Sequence, residues 1–111
     1  MVKPMLNMVW LSKYLPSEVT KMRQLGAYES RKIDAKLSDK LGLAKNEDER
    51  YSAVVDCYLE KVGLCSGVEL EKLKAMTSKE LDEVEGEYEK VNRLTRDEFE
   101  NLSGQPTEKN V

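Results

Sequence analysis

The strongest constraint on this chain is a run of apolar side chains with helical spacing. Tyr51, Val54, Val55, Tyr58, Leu59 and Val62 fall at i, i+3, i+4, i+7, i+8 and i+11, which on a 3.6-residue repeat makes one apolar face. Asn46 precedes the run as a capping residue, and Glu47, Asp48 and Glu49 sit where the helix dipole favours negative charge. A helix opening at Glu47 and ending at Gly63 is therefore expected at the centre of the fold.

The rest of the chain points the same way. Leu, Lys, Glu and Ala are frequent, long β-branched runs are absent, and no segment alternates with a two-residue period. The expected fold is all-α: a small bundle of four to six helices without a sheet. A first helix is expected from Pro4 to about Tyr14, ended by Leu15-Pro16. A second is expected from Pro16-Ser17 through Val19, Met22, Leu25, Ile33, Leu37 and Leu41 to Gly42, with Gly26 marking a bend or a break. A further helix after Thr77 carries Leu81, Val84, Tyr88 and Val91, a narrow seam flanked by acids. With 111 residues, one helical domain over 1–104 is expected, followed by a flexible polar tail over 105–111.

A short pattern recurs at three places, beginning at Cys65, Met76 and Leu94. Each copy reads apolar residue, Ser or Thr, two variable positions, Glu, then apolar residues. Physically this is a capping box with a hydrophobic staple, and it predicts helix starts at Ser66, Thr77 and Thr95. The copies are unequally spaced, so they do not define a solenoid.

The chemistry the residues can support is narrow. The chain has no histidine, which removes the usual general base, the usual triad member and the Glu-x-x-His half of a helical di-metal site. Cys57 and Cys65 lack both a base to activate them and the partners for a zinc site, and are expected as reduced thiols. No phosphate-binding glycine loop is present. The chain is accordingly expected to be no enzyme and to carry no cofactor or metal. Its longest apolar stretch is Met8-Val9-Trp10-Leu11, too short for a membrane span or a secretory signal. A chain that begins at Met1 and stays in the cytoplasm is the corresponding expectation.

Two features suggest contact with other macromolecules. The first 45 residues hold nine Lys or Arg against four acids, whereas residues 46–111 hold nine against seventeen, so the charge is polarised along the chain. The N-terminal segment is apolar nearly all round, and Met5, Leu6, Val9, Trp10, Lys13 and Tyr14 are the expected contact residues for a protein partner or a second copy. The leading expectation is a non-enzymatic protein-interaction module, such as a small adaptor, assembly factor or inhibitor of bacterial or phage accessory type. The alternative is a nucleic-acid-associated regulator binding through the basic segment 21–45, with Lys21, Arg23, Arg31, Lys32 and Lys36 on phosphates. Residues 37–45 resemble the first helix and turn of a helix-turn-helix. The continuation Glu47-Asp48-Glu49 would repel DNA.

Overall fold

The computed structural model describes residues 15–102. The expected helix over Pro4–Tyr14 and the tail over 105–111 lie outside the described residues. Within them are five helices and no strand: α1 (Ala27–Leu43), α2 (Glu47–Ser66), α3 (Leu70–Lys74), α4 (Ser78–Arg93) and α5 (Arg96–Leu102). The all-α fold expected from the periodicity is what the structure shows.

Helix α2 organises the rest. Asn46 Oδ1 accepts the Glu49 N–H at 2.9 Å, and Glu49 Oε1 accepts the Lys45 N–H at 2.7 Å, so the helix start is closed from both sides. Helix α1 lies antiparallel to it: Asp34 meets Lys61 at 2.9 Å and Lys36 meets Glu60 at 3.1 Å. Helix α4 runs parallel to α2, since Tyr58 packs edge-on to Tyr88 and Cys65 lies beside Asn92. That parallel placement needs a return path, which α3 supplies; its last residue, Lys74, pairs with Asp56 at 3.3 Å. Val62, Leu73 and Val84 are fully buried and Val91 nearly so, and these four make the centre of the core.

The expected second helix is half wrong. Residues 19–26 are not helical, and the helix begins only after Gly26, which is extended. The reason is that the backbone of this stretch is claimed by tertiary partners. The Arg23 N–H donates to the Cys65 carbonyl at 2.9 Å, the Leu25 N–H donates to Asn92 Oδ1 at 2.7 Å, and the Gln24 side-chain amide donates to the carbonyls of Val91 and Leu94. Val19 and Met22 are nevertheless core residues, at 5% and 3% exposure. Their apolar character was legible but not their backbone geometry. Helix α1 also passes through Gly42 to Leu43.

Two further expectations are corrected at the far end of α2. The helix runs past Gly63 to Ser66 and stops at Gly67, whose φ of +77° is the left-handed conformation that glycine adopts without strain. Gly63 is internal instead: a Cβ there would lie 2.7 Å from the Val68 carbonyl oxygen. Consequently Ser66 does not open a helix; its Oγ accepts the Val68 N–H at 3.4 Å. The other two copies of the pattern do form capping boxes. Thr77 exchanges bonds with Glu80 at 3.2 and 3.0 Å, and Thr95 exchanges bonds with Glu98 at 3.1 and 2.9 Å.

Candidate docking groove and charged surfaces

The apolar face of α2 is not wholly covered. Leu59 and Val62 are buried and Val55 and Tyr58 partly so, but Tyr51 and Val54 stay exposed, with Leu43 beside the hairpin connection. The expected apolar face of α2 is thus uncovered in its first two turns.

A groove of about 630 Å³ lies between α1 and the corner where α2 turns into α3. Ile33, Leu59 and Val68, all buried, line its apolar interior, and Tyr28, Leu64 and Leu70 add apolar surface. Gly63 also lines it, and the close approach of the Val68 carbonyl to Gly63 draws the α2–α3 corner tight. Two of the lining side chains stay open to water: Tyr28 is 75% exposed and Leu64 43%. Volume and lining are of the kind that bind a small apolar ligand or the side chains of another chain.

Charged groups surround the groove in pairs. Arg23 grips Glu29 through two nitrogen–oxygen contacts of 2.9 and 3.1 Å while its Nε–H donates to the Leu64 carbonyl. The guanidinium, helped by the Gly26 N–H, holds the Glu29 carboxyl below the usual glutamate range. Lys36 pairs with Glu60, and the Lys32 ammonium stands 5.2 Å from the centre of the Tyr28 ring. Glu69, also on the groove, has no ion-pair partner among the described residues.

The candidate contact residues named from the sequence are distributed as follows. Met5, Leu6, Val9, Trp10, Lys13 and Tyr14 lie outside the described residues. Lys21 and Arg31 are exposed, Arg23 and Lys36 are engaged by carboxylates, and Lys32 lies over the Tyr28 ring. The structure thus places Arg23, Lys32 and Lys36 around one groove rather than along an open basic stripe.

Sequence reasoning missed the groove, because Tyr28, Leu64, Val68 and Leu70 come from three helices and the α2–α3 connection and share no period. The one available signal was Leu64, an apolar residue just after Gly63 and outside the α2 core positions. It also missed Glu87, which is 5% exposed on α4. Its Oε2 meets Lys90 at 3.3 Å, and its Oε1 has no hydrogen-bond donor among the described residues.

The cysteines sit in surroundings that suppress reactivity. Burial pushes both thiols above their ordinary range, despite Lys61 near Cys57 and an Asn92 contact at Cys65. Burial and the Glu89 carboxylate, which accepts the Tyr58 hydroxyl at 2.7 Å, likewise raise the Tyr58 phenol. Among the described residues no group of three or more Cys, Asp or Glu side chains is arranged to hold a metal ion, and no helix is long and apolar enough to cross a membrane. Comparison of the chain with protein families, with curated proteins and with solved structures gives no match.

Proposed function

We propose that the chain is a protein-interaction module that acts without catalysis, as a small adaptor, assembly factor or inhibitor. It engages a helix of a protein partner, or of another copy of itself, in the groove between α1 and the α2–α3 corner. The observation that carries this reading is the exposure of Tyr28 and Leu64 on a groove whose interior is apolar and whose surroundings are charged. An amphipathic helix lays its apolar stripe into such a groove, and the flanking charges fix its register. Residues 1–14, with Met5, Leu6, Val9, Trp10, Lys13 and Tyr14, supply a second contact of the same apolar kind. The nucleic-acid alternative has less support, because Arg23 and Lys36 are already paired with carboxylates.

The test is association measured by sedimentation velocity over a wide concentration range, with affinity recovery from native lysate alongside. Tyr28→Glu combined with Leu64→Glu places two charges on exposed groove positions, so helical circular dichroism is expected to be retained while complex formation is lost. A wild-type chain that sediments as a monomer at every concentration and recovers no protein that the double variant fails to recover refutes the proposal.

A further inference from the structure

We propose that the groove is one end of a longer trough along the α1–α2 hairpin, and that the trough takes a single helix of a partner protein, about five turns long, whose apolar stripe is bordered by acids on one edge and by bases on the other. The inference rests on the interaction reading of the same groove and names the chemistry of what fills it.

A second cavity, of about 420 Å³, lies between the end of α1 and the first turns of α2. Lys36 and Glu60 line the first cavity, and Lys40 and Asp56 line the second. Lys40 is one turn on from Lys36 along α1, and Asp56 is one turn back from Glu60 along α2. The two helices are antiparallel and Lys36 meets Glu60 at 3.1 Å, so both steps lead in the same direction. The cavities therefore follow one another along one line, with α2 and its cap as a shared floor from Glu49 to Gly67. At 1.5 Å per residue that floor is about 27 Å long, which matches a helix of about 18 residues. Buried apolar side chains line both parts, Leu59 and Ile33 in the first and Ala53 in the second, and Leu43, 78% exposed, stands at the far end.

The charges on the two sides are opposite in sign. On α1, Lys32, Lys36 and Lys40 succeed one another at four-residue steps and so form one row along the trough. The acids on the other side belong to α2 and to the α2–α3 connection. Of these, Glu60 pairs with Lys36, Asp56 is held by Lys74, and Glu49 accepts the Lys45 N–H. Each cavity is then left with one base and one acid whose side chains have neither an ion pair nor a hydrogen bond among the described residues: Lys32 and Glu69 in the first, Lys40 and Asp48 in the second. All four are exposed. A helix that turns carboxylates toward the lysine row and cations toward Asp48 and Glu69 satisfies both sides while its apolar stripe covers the floor. A uniformly basic segment would set like charge against the lysine row, and nucleic-acid phosphates would set it against Asp48 and Glu69.

The probe is a set of three fluorescein-labelled peptides of about 18 residues, each with one leucine stripe and each held helical by a lactam bridge on the opposite face, since short isolated helices are marginal in water. One carries Glu along one edge and Lys along the other, one carries Lys on both edges, and one carries Glu on both. Binding to the full chain is read by fluorescence anisotropy. The two-signed peptide is expected to bind about three- to tenfold more tightly than either single-signed one at low salt, with the gap closing at high salt. Lys32→Glu with Lys40→Glu is expected to move the preference to the all-Lys peptide, and Asp48→Lys with Glu69→Lys to the all-Glu peptide. The two pairs lie on separate elements, so one remains informative if the other perturbs folding. Leu43→Glu is expected to weaken the long peptide severalfold and to leave unchanged a two-signed peptide of half the length, which the first cavity alone accommodates.

Equal binding of the three peptides overturns the inference, as does a preference for a single-signed one or a two-signed preference that neither pair of changes moves. A long peptide indifferent to Leu43→Glu confines the site to the first cavity and overturns the trough. Binding that is blind to the edges yet lost in Tyr28→Glu with Leu64→Glu overturns the inference and leaves the interaction reading standing. The same holds if the chain associates on sedimentation while no peptide binds. A chain that neither associates nor binds any peptide refutes both.

Discussion

Replacing Gly63 and Gly86 by alanine, one at a time, makes the same chemical change in the interior of two helices and is expected to shift stability in opposite directions. In both, alanine removes the conformational cost of glycine and gains up to about 1 kcal/mol of helix propensity. At Gly86 nothing lies within 4 Å of the added Cβ, so that gain is expected in full. At Gly63 the Cβ would sit 2.7 Å from the Val68 carbonyl oxygen and 3.5 Å from Leu73 Cδ1. An ordinary carbon–oxygen contact is about 3.3 Å or longer. The obstacle is backbone, and Leu73 behind it is fully buried, so no side-chain rotation relieves it. Opening the α2–α3 corner by roughly half an ångström is an overpacking distortion of about 1–3 kcal/mol. Set against the propensity gain it leaves a net loss of up to about 2 kcal/mol. Urea denaturation with a common m-value gives the free energies, and thermal melts are expected to rise by about 4–8 °C for Gly86→Ala and to fall for Gly63→Ala. If Gly63→Ala is as stable as Gly86→Ala, the corner is looser than the distances say, and the tight approach that shapes the groove is refuted.

Thr77→Ala removes the hydroxyl that accepts the Glu80 N–H and is expected to cost about 1 kcal/mol, read from the urea midpoint, with Thr77→Ser retaining most of the stability. Glu29 titrates in the folded state below its usual value because Arg23 and the Gly26 N–H bind its charged form. Its contribution is therefore complete above the unfolded value near 4.5 and is lost as pH falls through the lower folded value. Glu29→Gln is expected to flatten that part of the stability–pH curve, and an unchanged acid limb would count against the Arg23–Glu29 contact.

How much of this was readable in advance depends on which force fixed each piece. Helix α2 was legible because its capping residue, first-turn acids and apolar period agree, and α4 because a capping box and a seam coincide. Residues 19–26 were misread because Val19, Met22 and Leu25 mimic a helical step of three, while the real determinants are carbonyls of residues some 40 and 70 positions away. Ser66 carried a helix-start pattern and was overruled by the close approach of Val68 to Gly63. Of the candidate surfaces, the charge polarity and the apolar opening segment are visible in the sequence. The groove and the buried Glu87 are products of assembly, where Tyr28, Leu64 and Leu70 meet from different elements.

The non-helical stretch at residues 23–25 has a kinetic consequence. The side-chain contacts across the α1–α2 hairpin join residues some 25 positions apart, whereas the bonds from Gln24 and Leu25 to Val91, Asn92 and Leu94 close a ring of some seventy positions. Ring closure of that length is entropically unfavourable until the intervening helices have condensed. The hairpin is thus expected to form early, and this clasp between the front and the rear of the described residues to latch last and open first.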